Sequence, residues 1–389
     1  MRGTYEIQTC ICPSSYLQCF KRSLHSLFIQ SFVQISNIGF GFVNFILKSV
    51  HSNIHLLPSL VIRQLCPRLR PMTKVAVTGG AGFIGSNLTG RLISEGYQVV
   101  VVDDLSTGLL SNVDQENCQF HQTSITNLEE LRRVLRDCET IFHLAARGSV
   151  PRSIKNPIAS HTVNATGTVN VLEVARSSGA HVVFSSSSSV YGRNTSLPKN
   201  ESMWLGPLTP YAASKLAAEG YIQAYSSAYG VPTTLLRFFN VFGPRQRPDH
   251  EYAAVLPKWI WLAMKGAPIE VYGDGSASRD FTYVETVVDI AMIAMKERVI
   301  TDGAVNLAYG NRIFLNDAIE LMKEYFPELQ VEYKSERLGD VKESQNSPEL
   351  LEKLFPKVEP KPFKLALAET VAWLQEFGAS VANGPATLD

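Results

Sequence analysis

Cysteine is scarce over most of this 389-residue chain. Four of its six cysteines (Cys10, Cys12, Cys19, Cys66) fall within residues 1–71, and only Cys118 and Cys138 follow, with no CxxC pair and no metal-ligand spacing. That usage excludes a disulfide scaffold or a zinc site, fits a reducing, cytoplasmic setting, and gives no reason to expect a metal. Net charge is also absent, since 36 basic residues balance 36 acidic ones. The balance is uneven along the chain. Residues 1–71 hold seven Lys and Arg against the single acid Glu6, which leaves 29 basic and 35 acidic residues beyond them, a net charge of about −6. With no basic stripe on that acidic body, nucleic acid is not an expected partner. Apolar residues make up 45% and charged residues 19% of the chain, which excludes a disordered protein and leaves material for a large buried core.

A long hydrophobic run is missing as well. Between Arg22 and Lys48 the segment SLHSLFIQSFVQISNIGFGFVNFIL carries no Lys, Arg, Asp or Glu, but its Ser, Gln, Asn and His make a poor hydrocarbon-spanning helix. The acid-poor, Ser-rich composition of residues 1–71 suits a targeting leader. The other reading is an extension with no structural role, because Met72 stands directly before TKVAVTGG, where the patterned sequence starts. Residues 1–71 are therefore expected to be a leader or non-structural extension, and residues 379–389 a tail. No membrane partner is expected for the body.

From Lys74 onward, short apolar runs alternate with helical segments. VAVTG (75–79), YQVVVVD (97–103), TIFHLA (140–145), HVVFSSS (181–187) and TTLLRFFN (233–240) read as strands. Helices are predicted around 85–95, 127–136, 157–178 and 211–229. Near-continuous apolar strands alternating with helices indicate a parallel sheet covered on both faces. The predicted class is α/β, a Rossmann-type doubly wound parallel sheet over residues 72–243. After Gly243 the loops lengthen, with helices predicted near 253–265, 286–297 and 315–326. Residues 244–378 are read as a smaller substrate-binding domain, with some interleaving of chain between the two.

TGGAGFIG puts Gly79, Gly82 and Gly85 at the junction of the first strand and first helix. Such glycines permit the tight turn, a close approach of backbone to a pyrophosphate, and close packing of helix on sheet, with the pyrophosphate at the positive helix N-terminus. A glycine triplet alone is weak evidence. Here it follows a strand, opens a helix and precedes a second strand ending in Asp103. A carboxylate there accepts hydrogen bonds from the adenosine ribose and repels a 2′-phosphate. No Lys or Arg occurs between Leu92 and Leu131 to neutralise that phosphate, so NAD is expected rather than NADP.

FSSSSSVYG (184–192) ends a strand, and Tyr211-Ala-Ala-Ser-Lys215 follows in a helical context. At i and i+4 the two side chains share a helix face. The Lys215 ammonium, together with a nicotinium charge, can lower the Tyr211 phenol towards neutrality, so that a phenolate takes a proton from a hydroxyl whose carbon gives up hydride. Ser187 can supply a second hydrogen bond to that oxygen.

The set TGGAGFIG, VVDDLSTG, HLAA, the Ser-rich VYG strand, YxxxK and RDFTYV resembles the extended short-chain dehydrogenases, in particular the UDP-hexose 4-epimerases, over about residues 73–375. GSVPRS (148–153), NVFGPRQRP (240–248), EYAAVLPKW (251–259) and YGDGSASRDFTYV (272–284) look most like the bacterial UDP-N-acetylglucosamine 4-epimerases. The resemblance implies that Ser187, Tyr211 and Lys215 form the catalytic group. It implies NAD contacts from Gly79, Gly82, Phe83, Ile84 and Gly85, from Asp103 and Asp104, from Ser124 and Ile125, from Leu144, Ala145 and Ala146, and from Asn164, with Tyr211 and Lys215 also facing the cofactor. Asn240, Arg279, Arg337 and Asp340 resemble the groups that hold the UDP moiety, and Ser149 a contact to the sugar. A homodimer through the 157–178 and 211–229 helices is likewise implied. In TSIT (123–126), Ser124 replaces the Asp usual in the family opposite the adenine amino group, which is expected to alter cofactor affinity more than chemistry.

Related enzymes differ in the fate of the 4-keto sugar. The dehydratases carry an acid pair directly after the catalytic Ser or Thr, where this chain has Ser188 and Ser189. The UDP-glucuronate decarboxylases carry Glu at the place of Ser189. With neither acid, the 4-keto sugar is expected only to take its hydride back on the other face, which is 4-epimerisation. A UDP-glucuronate 4-epimerase stays open because GPRQRPD also suits that group. A non-catalytic nucleotide-binding scaffold is disfavoured by the intact Ser187, Tyr211 and Lys215. In GDVKES the likeness puts Ser344 at the wall facing the sugar C2 substituent, where a small side chain leaves room for an N-acetyl group.

Overall fold

The residues described by this computed structural model are 73–249, 253–335 and 343–382. Alternation begins at once with β1 (Lys74–Thr78), α1 (Phe83–Ser94), β2 (Gln98–Asp103), β3 (Cys118–Gln122), α2 (Leu128–Val134) and β4 (Thr140–His143). Next come α3 (Val150–Lys155), α4 (Pro157–His161), a π-helical turn (Thr162–Thr166) and α5 (Gly167–Ser178). Then follow β5 (His181–Ser187), a 3₁₀ turn (Ser188–Tyr191), α6 (Pro210–Tyr229), β6 (Thr233–Phe238) and β7 (Asn240–Phe242).

β1 to β6 pair in parallel, in the spatial order β6-β5-β4-β1-β2-β3, with one more strand beyond β6. This is the doubly wound order, and its reversal point lies between β1 and β4. Successive residues of each strand face opposite sides. Val75, Val77, Val99, Val101, Phe142 and Val183 pack under Leu88 and Leu92 of α1. Ala76, Val100, Ile141, Val182 and Phe184 pack under Leu131, Val171, Leu172 and Ile222 of the opposite helices. Strands buried on both faces must be apolar throughout, which is why the runs from 75, 97 and 140 were readable.

The remaining elements are α7 (Val255–Met264), β8 (Ile269–Tyr272), β9 (Ser278–Arg279), β10 (Phe281–Tyr283), α8 (Val284–Lys296), β11 (Ala304–Leu307), β12 (Ile313–Phe314), α9 (Leu315–Lys323), β13 (Val331–Lys334), α10 (Glu349–Leu354) and α11 (Phe363–Ala382). A third core forms here around Phe242, Trp259, Ile260, Phe281, Ile319 and Leu374. Two elements of this later part return to the first. α8 contributes Val287, Ile290 and Ala291 to the core beneath α1, and β11 pairs in parallel with β6 as the seventh strand. Accordingly the described residues from 73 onward form one compact unit.

Several elements differ from the sequence reading, β8, β11, β13 and α10 among those it did not give. β3 (CQFHQ) is an edge strand with no β-branched residue and no fully buried position, so neither propensity nor pattern marks it. The expected 157–178 helix is helical throughout but opens into a π turn at Asn164, whose side chain has bonds to make elsewhere. α11, twenty residues long, was not anticipated. Among the described residues no helix is long and apolar enough to cross a membrane. Residues 1–71 and 383–389 lie outside the described residues.

Candidate active site

The loop from β1 into α1 is shaped by two glycines. Gly79 has φ of +74°, and a Cβ on it would come 2.7 Å from the Ala145 nitrogen. A Cβ on Gly85 would come 2.1 Å from the Gly79 carbonyl oxygen, so no other residue fits there. Gly82 caps α1 in extended conformation, and its N–H donates to the Gly79 oxygen at 3.1 Å. Ser86 is the first to bond back, to the Gly82 oxygen, so the amides of Phe83, Ile84 and Gly85 lie in the first turn, where a helix has no internal acceptors for its N–H groups. That cradle, floored by glycine and open in its donors, fits a pyrophosphate.

Asp103 closes the loop from below. Its Oδ2 accepts from the Ala81 N–H at 3.0 Å and its Oδ1 from the Leu105 N–H at 2.8 Å. Burial pushes its carboxyl up, and those two amides oppose the shift. Each oxygen keeps a second lone pair for ribose hydroxyls. Asp104, exposed beside it, accepts from the Ser106 N–H. Ser124 is turned into its own loop, accepting from the Thr126 N–H and hydroxyl, while Ile125 is buried and Gly167 sits against it.

Leu144, Ala145 and Ala146 continue from the end of β4 alongside Gly79. The Leu144 and Ala145 amides donate to the backbone oxygen and the hydroxyl of Thr78. Asn164 is 2% exposed. It accepts from the Arg147 N–H at 2.7 Å and donates to the Arg147 oxygen and to Ser214 Oγ. Its side chain therefore ties the β4 loop to α6.

Ser187 ends β5, and its Oγ accepts from the Ser189 N–H at 3.2 Å, opening the 3₁₀ turn. Tyr211 and Lys215 lie one turn apart at the start of α6, which Thr209 caps through the Ala212 N–H. Lys215 is buried, with its ammonium 4.7 Å from the centre of the Phe184 ring. Burial pushes Lys215 down to about 8, and Glu219 opposes this. Its charge and burial hold His143 down to about 3, burial being the larger cause, so that imidazole stays neutral between Thr78 and Thr168. Within the protein, burial raises the Tyr211 phenol above its ordinary value, and the neighbouring Ser187 hydroxyl opposes the rise.

Asn240 at the start of β7 donates through Nδ2 to the Asp280 backbone oxygen at 3.4 Å and reaches Ser344 Oγ at 3.5 Å. Ser344 is fixed by its own N–H, which donates to the Ser278 oxygen. Arg279 follows on β9 and donates to that same oxygen at 2.9 Å. Ser149 caps α3 with φ of +109°, rare for a residue with a side chain. Arg337 and Asp340 lie outside the described residues.

Three groups here were missed by sequence reading. Asp280 is fully buried and accepts from the Gly310, Asn311 and Asn346 amides, and burial pushes its carboxyl up to about 7. Glu219 and Arg237 are buried as a two-bond ion pair. The available signals were an acid four residues after Lys215 and an arginine inside the apolar run TTLLRFFN.

A parallel doubly wound sheet with a glycine cradle, an acid closing it and a Tyr–Lys pair beside a strand-end serine defines an NAD-binding enzyme of the extended short-chain dehydrogenase class. The chain belongs to the NAD dependent epimerase/dehydratase family, whose model matches residues 75–308. It is thus an enzyme of the epimerase type that works with NAD. It is 40% identical over 224 residues to UDP-glucose 4-epimerase of Mycolicibacterium smegmatis, covering 56% of this chain and 71% of that one. It is 33% identical over 315 residues to UDP-glucuronate 4-epimerase of Thermodesulfobacterium geofontis, covering 77% of this chain and 95% of the other. Among solved structures, UDP-N-acetylglucosamine 4-epimerase from Methanobrevibacter ruminantium M1, in complex with UDP-N-acetylmuramic acid, superposes with a TM-score of 0.75 at 35% identity, over 78% of this chain and 99% of that one.

Proposed function

We propose that this protein inverts the C4 hydroxyl of a UDP-hexose through a transient 4-keto sugar, with Ser187, Tyr211 and Lys215 as its catalytic group. The observation that carries this reading is the strand end itself. Ser187 borders Tyr211, and the next two residues are Ser188 and Ser189, so those two positions offer no acid to remove a C5 proton or expel water.

Bound NAD supplies the place where the C4 hydride is held before its return. The first-turn amides of α1 would hold the pyrophosphate, and Asp103 would take the adenosine ribose hydroxyls. Tyr211 accepts the proton of the 4-hydroxyl and gives it back, and Ser187 steadies the same oxygen. Lys215 keeps a cation behind the phenol. Burial raises the Tyr211 phenol, and the positive charge of bound NAD would act in the opposite sense. The nucleotide half of the substrate falls to Asn240, Arg279, Arg337 and Asp340, and arginines suit it because their forked donors can meet a phosphate bidentately. Ser149 and Ser344 face the sugar.

UDP-N-acetylglucosamine is the favoured substrate, alongside UDP-glucose, on the strength of the small Ser344 side chain. UDP-glucuronate is the second reading, favoured by the likeness to the Thermodesulfobacterium geofontis epimerase over most of that protein's length. Residues 72–243 serve the cofactor and 244–378 the UDP-sugar, with α8 and β11 crossing back. A homodimer is supported by exposed Ile154, Ile158 and Tyr221 on the adjoining α3, α4 and α6, and a cytoplasmic setting by the free thiols of Cys118 and Cys138. Incubating the purified protein with each UDP-sugar and resolving the C4 epimers tests the reading: conversion of none of the three would remove it.

A further inference from the structure

Two deeply buried charges beside the candidate catalytic group belong to no step described above. Glu219 and Arg237 are 2% and 4% exposed. Glu219 sits one turn beyond Lys215 on the buried face of α6. Its Oε1 accepts from Arg237 Nε at 2.9 Å and its Oε2 from Nη2 at 2.8 Å. The same Oε1 also accepts from Ser186 Oγ at 2.5 Å. Ser186 immediately precedes Ser187 and pairs in register with Arg237 across β5 and β6. The third branch of the guanidinium, Nη1, donates to the Tyr191 hydroxyl at 3.0 Å, and Tyr191 ends the 3₁₀ turn that begins after Ser187. The pair thus grips the chain on both sides of Ser187 and fixes it to the helix turn that bears Lys215.

A buried ion pair is poor evidence of stabilisation, because desolvation offsets most of its attraction, so its presence here invites a positional explanation. The surroundings favour one. From Tyr191 the hydrogen bonds run on to Asn306 Oδ1, from Asn306 Nδ2 to Asn346 Oδ1, and from the Asn346 N–H to Asp280. Asp280 in turn offers its backbone oxygen to Asn240. Every side chain in this relay short of Asn240 is buried, and its acceptors are filled by protein donors.

We propose that Glu219, acting with Arg237 and through Ser186, is a positioning residue that sets Ser187 and Lys215 against each other. The inference rests on the assignment of Ser187, Tyr211 and Lys215 given above. Glu219 also acts on Lys215 electrostatically. The groups that interact with the Lys215 charge are Glu219 on its own helix, which favours the ammonium, and His143 on β4, which is neutral. Phe184 on β5 presents a ring face to it.

The test uses the NAD-loaded enzyme and three variants. Ser186→Ala removes one hydroxyl and leaves the ion pair intact, and is expected to lower kcat about tenfold with KM for the UDP-sugar unchanged. Glu219→Gln is expected to lower kcat as well, and to move the basic limb of the kcat–pH profile down by about one unit, because Lys215 loses its anionic neighbour. A merely structural role would lower the melting temperature of both variants while leaving kcat per folded molecule and the pH profile as in wild type, and that result would overturn the proposal. If Glu219→Gln does not fold, Ser186→Ala decides alone, wild-type kcat counting against. Tyr211→Phe is measured alongside. An active Tyr211→Phe removes the catalytic assignment itself, whereas an inactive one beside a fully active Ser186→Ala removes only the positioning role.

Discussion

The side-chain amide of Asn240 meets the hydroxyl of Ser344 at 3.5 Å across 104 residues of chain. In the proposed site Asn240 serves the nucleotide and Ser344 the sugar, and the two share one wall. Ser344→Tyr would set an aromatic ring into that formed contact, and overpacking of this kind costs on the order of 1–3 kcal/mol, near a hundredfold in rate at its upper end. Steady-state kinetics on both sugar pairs is expected to show selective loss with the N-acetylated pair. An equal loss on both would show that Ser344 does not gate substrate size.

Gly85→Ala is expected to strip the protein of NAD. Its Cβ would fall 2.1 Å from the Gly79 oxygen, so the cradle must open and its amides turn away. Cofactor retained after gel filtration, measured by absorbance, checks this; a variant that keeps a full complement would mean the turn is not the pyrophosphate site.

Asp103 is expected to make binding selective for NAD, since a carboxylate set against a 2′-phosphate is a like-charge contact costing several kcal/mol. Equilibrium titration giving equal affinities for NAD and NADP would contradict the assignment.

Asp280 carries a pH consequence. Its folded carboxyl is raised to about 7 from an ordinary 3.8, so between those values the folded state holds the extra proton. Stability from this residue is therefore greatest below pH 4 and declines as pH rises towards 7, by at most about 1.4 kcal/mol per unit. Denaturant unfolding of wild type and Asp280→Asn across that range should show the variant lacking this decline. Parallel curves would place the titration elsewhere.

What the sequence made legible follows from how each feature is encoded. β1, β2, β4, β5 and β6 are buried on both faces, so an apolar run reports them directly, and the glycine loop and the Tyr–Lys spacing are local in the chain. Asn164 is read from the sequence as a cofactor contact, and its side chain also bonds Arg147 and Ser214, a tertiary arrangement that spacing does not encode. The Glu219–Arg237 pair lies within eighteen residues of chain but joins a helix to a strand, and either member read alone resembles a solvated surface charge. Asp280 lies within RDFTYV, but its part as the acceptor for three amides from two distant loops is set by the tertiary fold.

In the proposed reaction Tyr211 is the group that takes the proton at the sugar O4. Purified Tyr211→Phe, checked for bound NAD and then incubated with UDP-N-acetylglucosamine and UDP-glucose, should keep its cofactor and lose C4 epimer formation by roughly a hundredfold or more, the usual worth of a positioned acid–base group. A variant that still interconverts either pair at more than about a tenth of the wild-type rate would contradict it.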